Sequence, residues 1–381
     1  MKRIYLDNAA TTPIDPEVVE VMTQVMKEDF GNPSSSHADG RKAKAHVESS
    51  RKTIATILNC LPSEIYFTSG GTEADNTIIR SCVESLGIKN IITSPIEHHA
   101  VLHTVEDLEH KGLVKVHFVK LYENGHVDLL HLEELLKSNE HVLVTLMHGN
   151  NEVGNLLAIE KVANLCKQNN AYFHSDTVQS MGYYEFDLAQ LNVDFMVGAA
   201  HKFNGPKGIG FMFIRKGVKL KPHLTGGAQE REMRGGTENV YGIVGLAKAL
   251  EISYRDLKQK QKHISNLKQL MIEKFEQELP FVKFNGDAKG QSLYTVLNVA
   301  FCPPAAGELL LFNFDLNHIS ISGGSACSSG SNKGSHVIRA IGKNLDCSPV
   351  RFSFGKYNTE QEINKVFNYI KELFLAEAKH E

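Results

Sequence analysis

"VDFMVGAAHKFNGPKGIG" occupies residues 193–210. Its first eight residues, apolar or small apart from Asp194, read as a core strand, and the Gly/Pro loop after Lys202 reads as a turn. A second apolar run, "IGFMFI" (209–214), follows at once. Burying a charged lysine is costly, so one at the end of a core strand needs a chemical reason. That reason depends on what the neighbouring strands carry at the same edge.

Working outward, five more short apolar runs read as strands: "EIYFTS" (64–69), "NIITS" (90–94), "VKVHFVK" (114–120), "HVLVTLMH" (141–148) and "AYFHS" (171–175). Helical stretches lie between them. In residues 158–170, Ile159, Val162, Ala163, Leu165 and Cys166 recur with a period near 3.6. This alternation predicts an α/β fold with a mainly parallel seven-stranded sheet. Beyond residue 242 the pattern changes to a long charge-rich helical segment, then "SLYTVLNVAF" and a C-terminal helix. The expected organisation is a large α/β domain at 15–255 and a smaller α+β domain at 256–381. Residues 1–14 are expected to return to the small domain or the crevice.

Bulk properties narrow the function classes. The 381 residues are 42% hydrophobic and 22% charged, with a net charge of −3. That suits a globular protein and gives no basic field for nucleic acid. No apolar run approaches the roughly 18–20 residues of a membrane span. The N-terminus has no apolar core of a signal peptide. The six cysteines contain no C-x-x-C pair, which argues against a zinc site and a disulfide framework and suits a reducing compartment. The expectation is a cytoplasmic enzyme without a metal site.

In an open parallel sheet, ligands bind at the carboxyl ends of the strands. There "GGTEADN" (70–76) opens a helix with Gly71 and Thr72, an arrangement suited to an anion. His98 follows the second strand, Asn150 and Asn151 the fourth, and Asp176 and Gln179 the fifth. His201 and Lys202 follow the sixth. Singly, each is an ordinary strand-end polar residue. Together they suit a ligand with a phosphate, an aromatic ring nitrogen and an aldehyde, the groups of pyridoxal 5′-phosphate. Lys202 is then placed for a Schiff base, which removes the cost of a buried ammonium.

These residues sit in motifs that resemble the cysteine desulfurases of fold-type I, within the class-V aminotransferase group: "YLDNAATTP", "FGNPSSSH", "FTSGGTEADN", "EHHAV", "NNEVG", "HSDTVQS", "HKFNGPKGIG", "MRGGTEN", "SGGSACSSGS" and "VRFSFGK". The resemblance implies that Lys202 links to the cofactor, Asp176 holds its ring nitrogen protonated, His98 stacks on the ring, and Gln179 bonds the phenolic oxygen. Gly71, Thr72 and His201 hold the phosphate. Thr237 reaches the phosphate of a neighbouring subunit, which implies a homodimer. Asn151 and Arg351 bind the carboxylate of L-cysteine. Cys327 attacks the substrate sulfur, keeps it as a persulfide and hands it to an iron–sulfur scaffold or a thiolation enzyme. The sequence departs from the usual pattern at Ala199 and Ala200, where Ser-Gly is common, and at Thr177 and Gly323. Two other readings are a lyase for selenocysteine or another β-substituted amino acid, and a non-enzymatic interaction module. Retention of Lys202, Asp176, His98, Arg351 and Cys327 together speaks against the module.

Overall fold

All seven apolar runs form strands of one sheet in the computed structural model, which describes residues 3–302, 307–323 and 334–377. After β1 (Ile4–Tyr5), these are β2 (Ile65–Thr68), β3 (Asn90–Thr93), β4 (Lys115–Phe118), β5 (Val142–Thr145), β6 (Tyr172–Asp176), β7 (Phe195–Ala199) and β8 (Gly210–Ile214). Their order across the sheet is β2-β8-β7-β6-β5-β3-β4. Only β8 runs against its neighbours, so the other six strands point their carboxyl ends to one edge. The register sets Asp176 opposite Val197 and Thr145 opposite His174.

The helices of this part are α1 (Pro16–Glu28), α2 (Ala38–Ile57), α3 (Gly71–Leu86), α4 (His99–His110), α5 (Leu129–Ser138), α6 (Ile159–Gln168) and α7 (Val240–Arg255). The period-2 alternation of the strands divides them between two cores. Ile91, Leu143, Phe195 and Val197 bury against Ile78 and Val101 of α3 and α4. Ile92, Val144, Phe173 and Met196 join the core that includes α1, α2 and α7.

The single long helical segment expected after residue 242 is two helices. α7 stops at Arg255, Asp256 takes φ −102° and ψ 11°, and α8 (Leu257–Glu278) starts beyond it. The break lets α8 turn Lys260 inward, where its Nζ donates to the carbonyls of Gly182 (2.6 Å) and Ser253 (3.3 Å).

A second sheet of order β12-β10-β9 is built from β9 (Val282–Phe284), β10 (Val296–Phe301) and β12 (Ser348–Ser353). Phe275 of α8 packs edge-on against Phe301 and against Phe367 of α11 (Glu360–Glu377). Between these strands lie α9 (Gly307–Leu316), β11 (Ile319–Ser320) and α10 (His336–Ile341). β1 pairs in parallel with β11, and Asp7 bridges to Ser353, so the N-terminal segment is wedged beside β12.

Cys302 and Cys347 form a disulfide with Cα atoms 4.7 Å apart. This corrects the expectation of thiols without cross-links. The two lie 45 residues apart in sequence but follow on from the ladder pair Phe301 and Ser348, so strand pairing brings them together.

Candidate active site

At the carboxyl edge of the large sheet lies a cavity of about 260 Å³. Gly71, Thr72, His98, Asn151, Asp176, Gln179, His201, Lys202 and Arg351 all line it. A larger cavity of about 480 Å³, lined by His148, Tyr184 and Asp187 among others, holds no lysine or arginine and none of these residues.

Each wall has a local cause. α3 begins at Gly71, where the first-turn N–H groups have no partner within the helix. A Cβ on Gly71 would lie 2.7 Å from Val178 Cγ2, so only glycine lets the turn come so near the β6 loop. Ser69 N–H bonds Glu73 Oε2, and Glu73 is held in turn by Arg234.

His98 caps α4, with Nδ1 accepting the Ala100 N–H at 3.1 Å. Burial lowers its pKa, so the ring is neutral at pH 7 and carries its proton on Nε2. Asp176 ends β6, its Oδ1 accepting the Val178 N–H at 2.9 Å. Burial pushes its carboxyl pKa up, while the Val178 N–H and the Lys202 ammonium pull it back. A cation in the cavity would hold it ionised.

Lys202 closes a 3-10 turn after β7. Nζ donates to the carbonyls of Ala9 (2.6 Å) and Ala10 (2.9 Å). The "AATT" segment that supplies them is pinned by Thr12, whose N–H and hydroxyl both bond the His201 carbonyl at 2.9 Å. Gln179 Nε2 donates to Ala9 O, and His201 Nδ1 lies 3.2 Å from Thr11 Oγ1. Burial drives the His201 pKa down to about 4, so it faces the cavity uncharged. Arg351 of β12, itself buried, also lines the cavity and donates to Asn151 O and Asp7 Oδ1.

Not every expected residue is here. Thr237 is exposed and lines a separate cavity of about 180 Å³ with Arg234, Glu238 and Asn239. Cys327 lies outside the described residues. Two of the four departures from the usual motifs have local answers. Thr177 donates its hydroxyl to Val197 O at 2.6 Å, and a Cβ at Gly323 would press on Leu311 Cδ1 at 2.8 Å.

Two buried carboxyls escaped the sequence reading. Asp75 lines the cavity with its pKa raised well above the ordinary carboxylate value by burial and by Asp176. Its Oδ1 lies 3.4 Å from Nε2 of His174, itself pushed down to about 3 by burial. Glu97, pushed up to about 8 by burial, accepts the Ser94 hydroxyl and the Met147 N–H. The signal for Asp75 was its spacing: three residues past Thr72 on a helix places both on one face.

Residues 4–366 match the family described as aminotransferase class-V. The chain belongs to the class-V aminotransferase family. A Clostridium botulinum member named cysteine desulfurase IscS is 40% identical over 98% of this chain and 94% of its own length. Among solved structures, a NifS-like protein superposes with a TM-score of 0.90 at 38% identity, covering 98% of this chain and 99% of that one. A structure titled SspA in complex with cysteine gives 0.80 at 32% identity over 93% and 100%.

As a class-V aminotransferase the chain is an enzyme dependent on pyridoxal 5′-phosphate, and its cavity suits that group. The unpaired amides of the α3 terminus suit a phosphate, and Asp176 suits a protonated ring nitrogen. The half-buried Lys202 amine suits an aldehyde. No cluster of potential metal ligands occurs among the described residues.

Proposed function

We infer that this chain is a pyridoxal-phosphate-dependent cysteine desulfurase that releases L-alanine from L-cysteine and keeps the sulfur on Cys327 as a persulfide. The observation that carries this reading is the single cavity shared by Lys202, Asp176, His98, Arg351 and the α3 terminus.

When bound, the cofactor supplies an electrophilic carbon and a ring that accepts electron density from the substrate's α-carbon. Lys202 Nζ would be its attachment point, and its free amine would serve to move the α-proton. Asp176 keeps the ring nitrogen protonated, which maximises electron withdrawal. His98 would stack on the ring and carries an exchangeable proton on Nε2. Gln179 bonds the phenolic oxygen, and Gly71, Thr72 and His201 hold the phosphate. Arg351 and Asn151 orient the substrate carboxylate.

Sulfur transfer needs a nucleophilic thiol. The Cys327 thiolate attacks the substrate sulfur, an S–S bond forms and the carbon–sulfur bond breaks. The electron pair stays with the carbon, which takes a proton as alanine is formed. Exclusion supports Cys327 in this role. Burial pushes Cys60 up to about 12 and raises the pKa values of Cys82 and Cys166, so these thiols resist ionisation. Cys302 and Cys347 are joined to each other.

We further propose a homodimer in which the exposed Thr237 bonds the partner's phosphate, and sulfur delivery to an iron–sulfur scaffold or thiolation enzyme in the cytoplasm. Among the described residues no helix is long and apolar enough to cross a membrane. The boundary between a large domain (15–255) and a small one (256–381) belongs at Asp256, where α7 gives way to α8. The decisive experiment is borohydride reduction and peptide mapping of the yellow holoenzyme, together with alanine release from L-cysteine. Label on Lys207 instead of Lys202, or release of ammonia and pyruvate without alanine, would refute the reading.

A further inference from the structure

Arg351 meets the cavity already engaged. Nη1 donates to Asn151 O at 2.9 Å and Nη2 to Asp7 Oδ1 at 2.8 Å, while Nε is buried without a hydrogen-bond partner among the described residues. The Arg351 side chain is 1% exposed and that of Asp7 18%. The same Asp7 oxygen also accepts the Ser322 hydroxyl at 2.8 Å. Backbone bonds of the preceding residue hold the Asp7 segment in place: Leu6 N–H to Ser320 O (2.9 Å), and Ser353 N–H to Leu6 O (2.8 Å). Ser322 is held as firmly, because Arg351 N–H bonds its carbonyl at 2.7 Å.

A buried guanidinium needs a counter-charge, and Asp7 is that charge. A carboxylate that docks on Arg351 therefore meets a cation already shared with a second carboxylate. The two anions repel, and the Ser322 hydroxyl, by bonding the same oxygen, draws part of Asp7's charge away from Arg351. We propose that Asp7 is a positioning residue that sets the affinity of the site for amino-acid carboxylates, orienting the Arg351 fork while keeping binding weak enough for product to leave. This rests on Arg351 being the carboxylate anchor.

The test is calorimetric titration of the holoenzyme with L-alanine, a readout independent of turnover. Asp7→Asn keeps an acceptor oxygen and removes the charge, so the Kd should fall roughly three- to tenfold. A merely structural role would loosen Arg351 and raise the Kd. Ser322→Ala leaves the whole Asp7 charge on Arg351 and should raise the Kd by up to about threefold. An unchanged or raised Kd in folded Asp7→Asn overturns the proposal. If that variant does not fold, an unchanged or lowered Kd in Ser322→Ala overturns it. Arg351→Ala separates the two ideas. Parental affinity there would refute the anchor itself and the proposal with it. Lost affinity there, with weakened binding in Asp7→Asn, would refute only the role of Asp7.

Discussion

Arg51 and Glu230 form a buried pair that ties the edge of the large sheet to the segment leading into "MRGGTEN". Arg51 Nη1 and Nη2 each donate to one Glu230 oxygen at 2.8 Å, and both side chains are 2% exposed. Glu230 Oε2 also accepts the Phe67 N–H, and Arg51 Nη1 reaches Ile65 O, so the pair clasps β2. Glu230, Arg231 and Glu232 have φ of 46°, 55° and 65°, an unfavourable run for side-chain-bearing residues that the clasp helps to hold. Glu230→Gln keeps the shape and an acceptor but strands the guanidinium. Breaking one side of a buried pair costs about 3–5 kcal/mol. Glu48, 3.2 Å from Arg51 Nε and half-exposed, partly compensates and places the expected loss near the lower limit, about 3 kcal/mol. Arg51→Met should cost a similar amount. The double variant Arg51→Met/Glu230→Gln removes both charges, keeps an acceptor for the Phe67 N–H, and should recover at least about 2 kcal/mol relative to the sum of the single losses. Urea unfolding at fixed protein and cofactor concentration measures all four corners of this cycle. Single losses below about 0.5 kcal/mol, or an additive double variant, would refute the clasp.

Lys260, driven down to about 7 by burial, is neutral in the folded chain and protonated in the unfolded chain between pH 7 and about 10.5. The unfolded state binds the extra proton there, so this lysine makes stability rise with pH across that window, by roughly 4–5 kcal/mol in total. Lys260→Met should flatten the rise, and thermal midpoints measured from pH 7 to 10 that keep the parental slope would contradict this. Cys327→Ala should bind cofactor and L-cysteine with parental spectra but release no alanine; normal release would move the nucleophile elsewhere. Ala199→Ser adds a hydroxyl on the cavity wall beside Gly71, where the two Cβ positions stand 3.9 Å apart. A hydrogen bond to a charged group is worth about 1.5–3 kcal/mol, so cofactor loss on dialysis should slow at least several-fold. Equal or faster loss would show that the hydroxyl does not reach the phosphate.

Short apolar runs and the 3.6-residue spacing between them determined the seven strands, their helical crossovers and the edge at which Gly71, His98, Asp176 and Lys202 meet. A parallel sheet sends the end of every strand to one side, so a local pattern carries a global consequence. The break at Asp256 was not legible, because helical spacing continues through it and the turn is set by what Lys260 must reach across the fold. Only tertiary structure decided that Arg351, far along the chain on another sheet, would meet Asn151 and Asp7, for no local pattern links residues 200 and 344 positions apart. The same holds for Cys302 and Cys347, joined by strand pairing, and for the raised pKa values of Asp75 and Glu97. Those carboxyls are acidic residues like any other in the sequence, and burial, with Asp176 nearby, is what raises their pKa values.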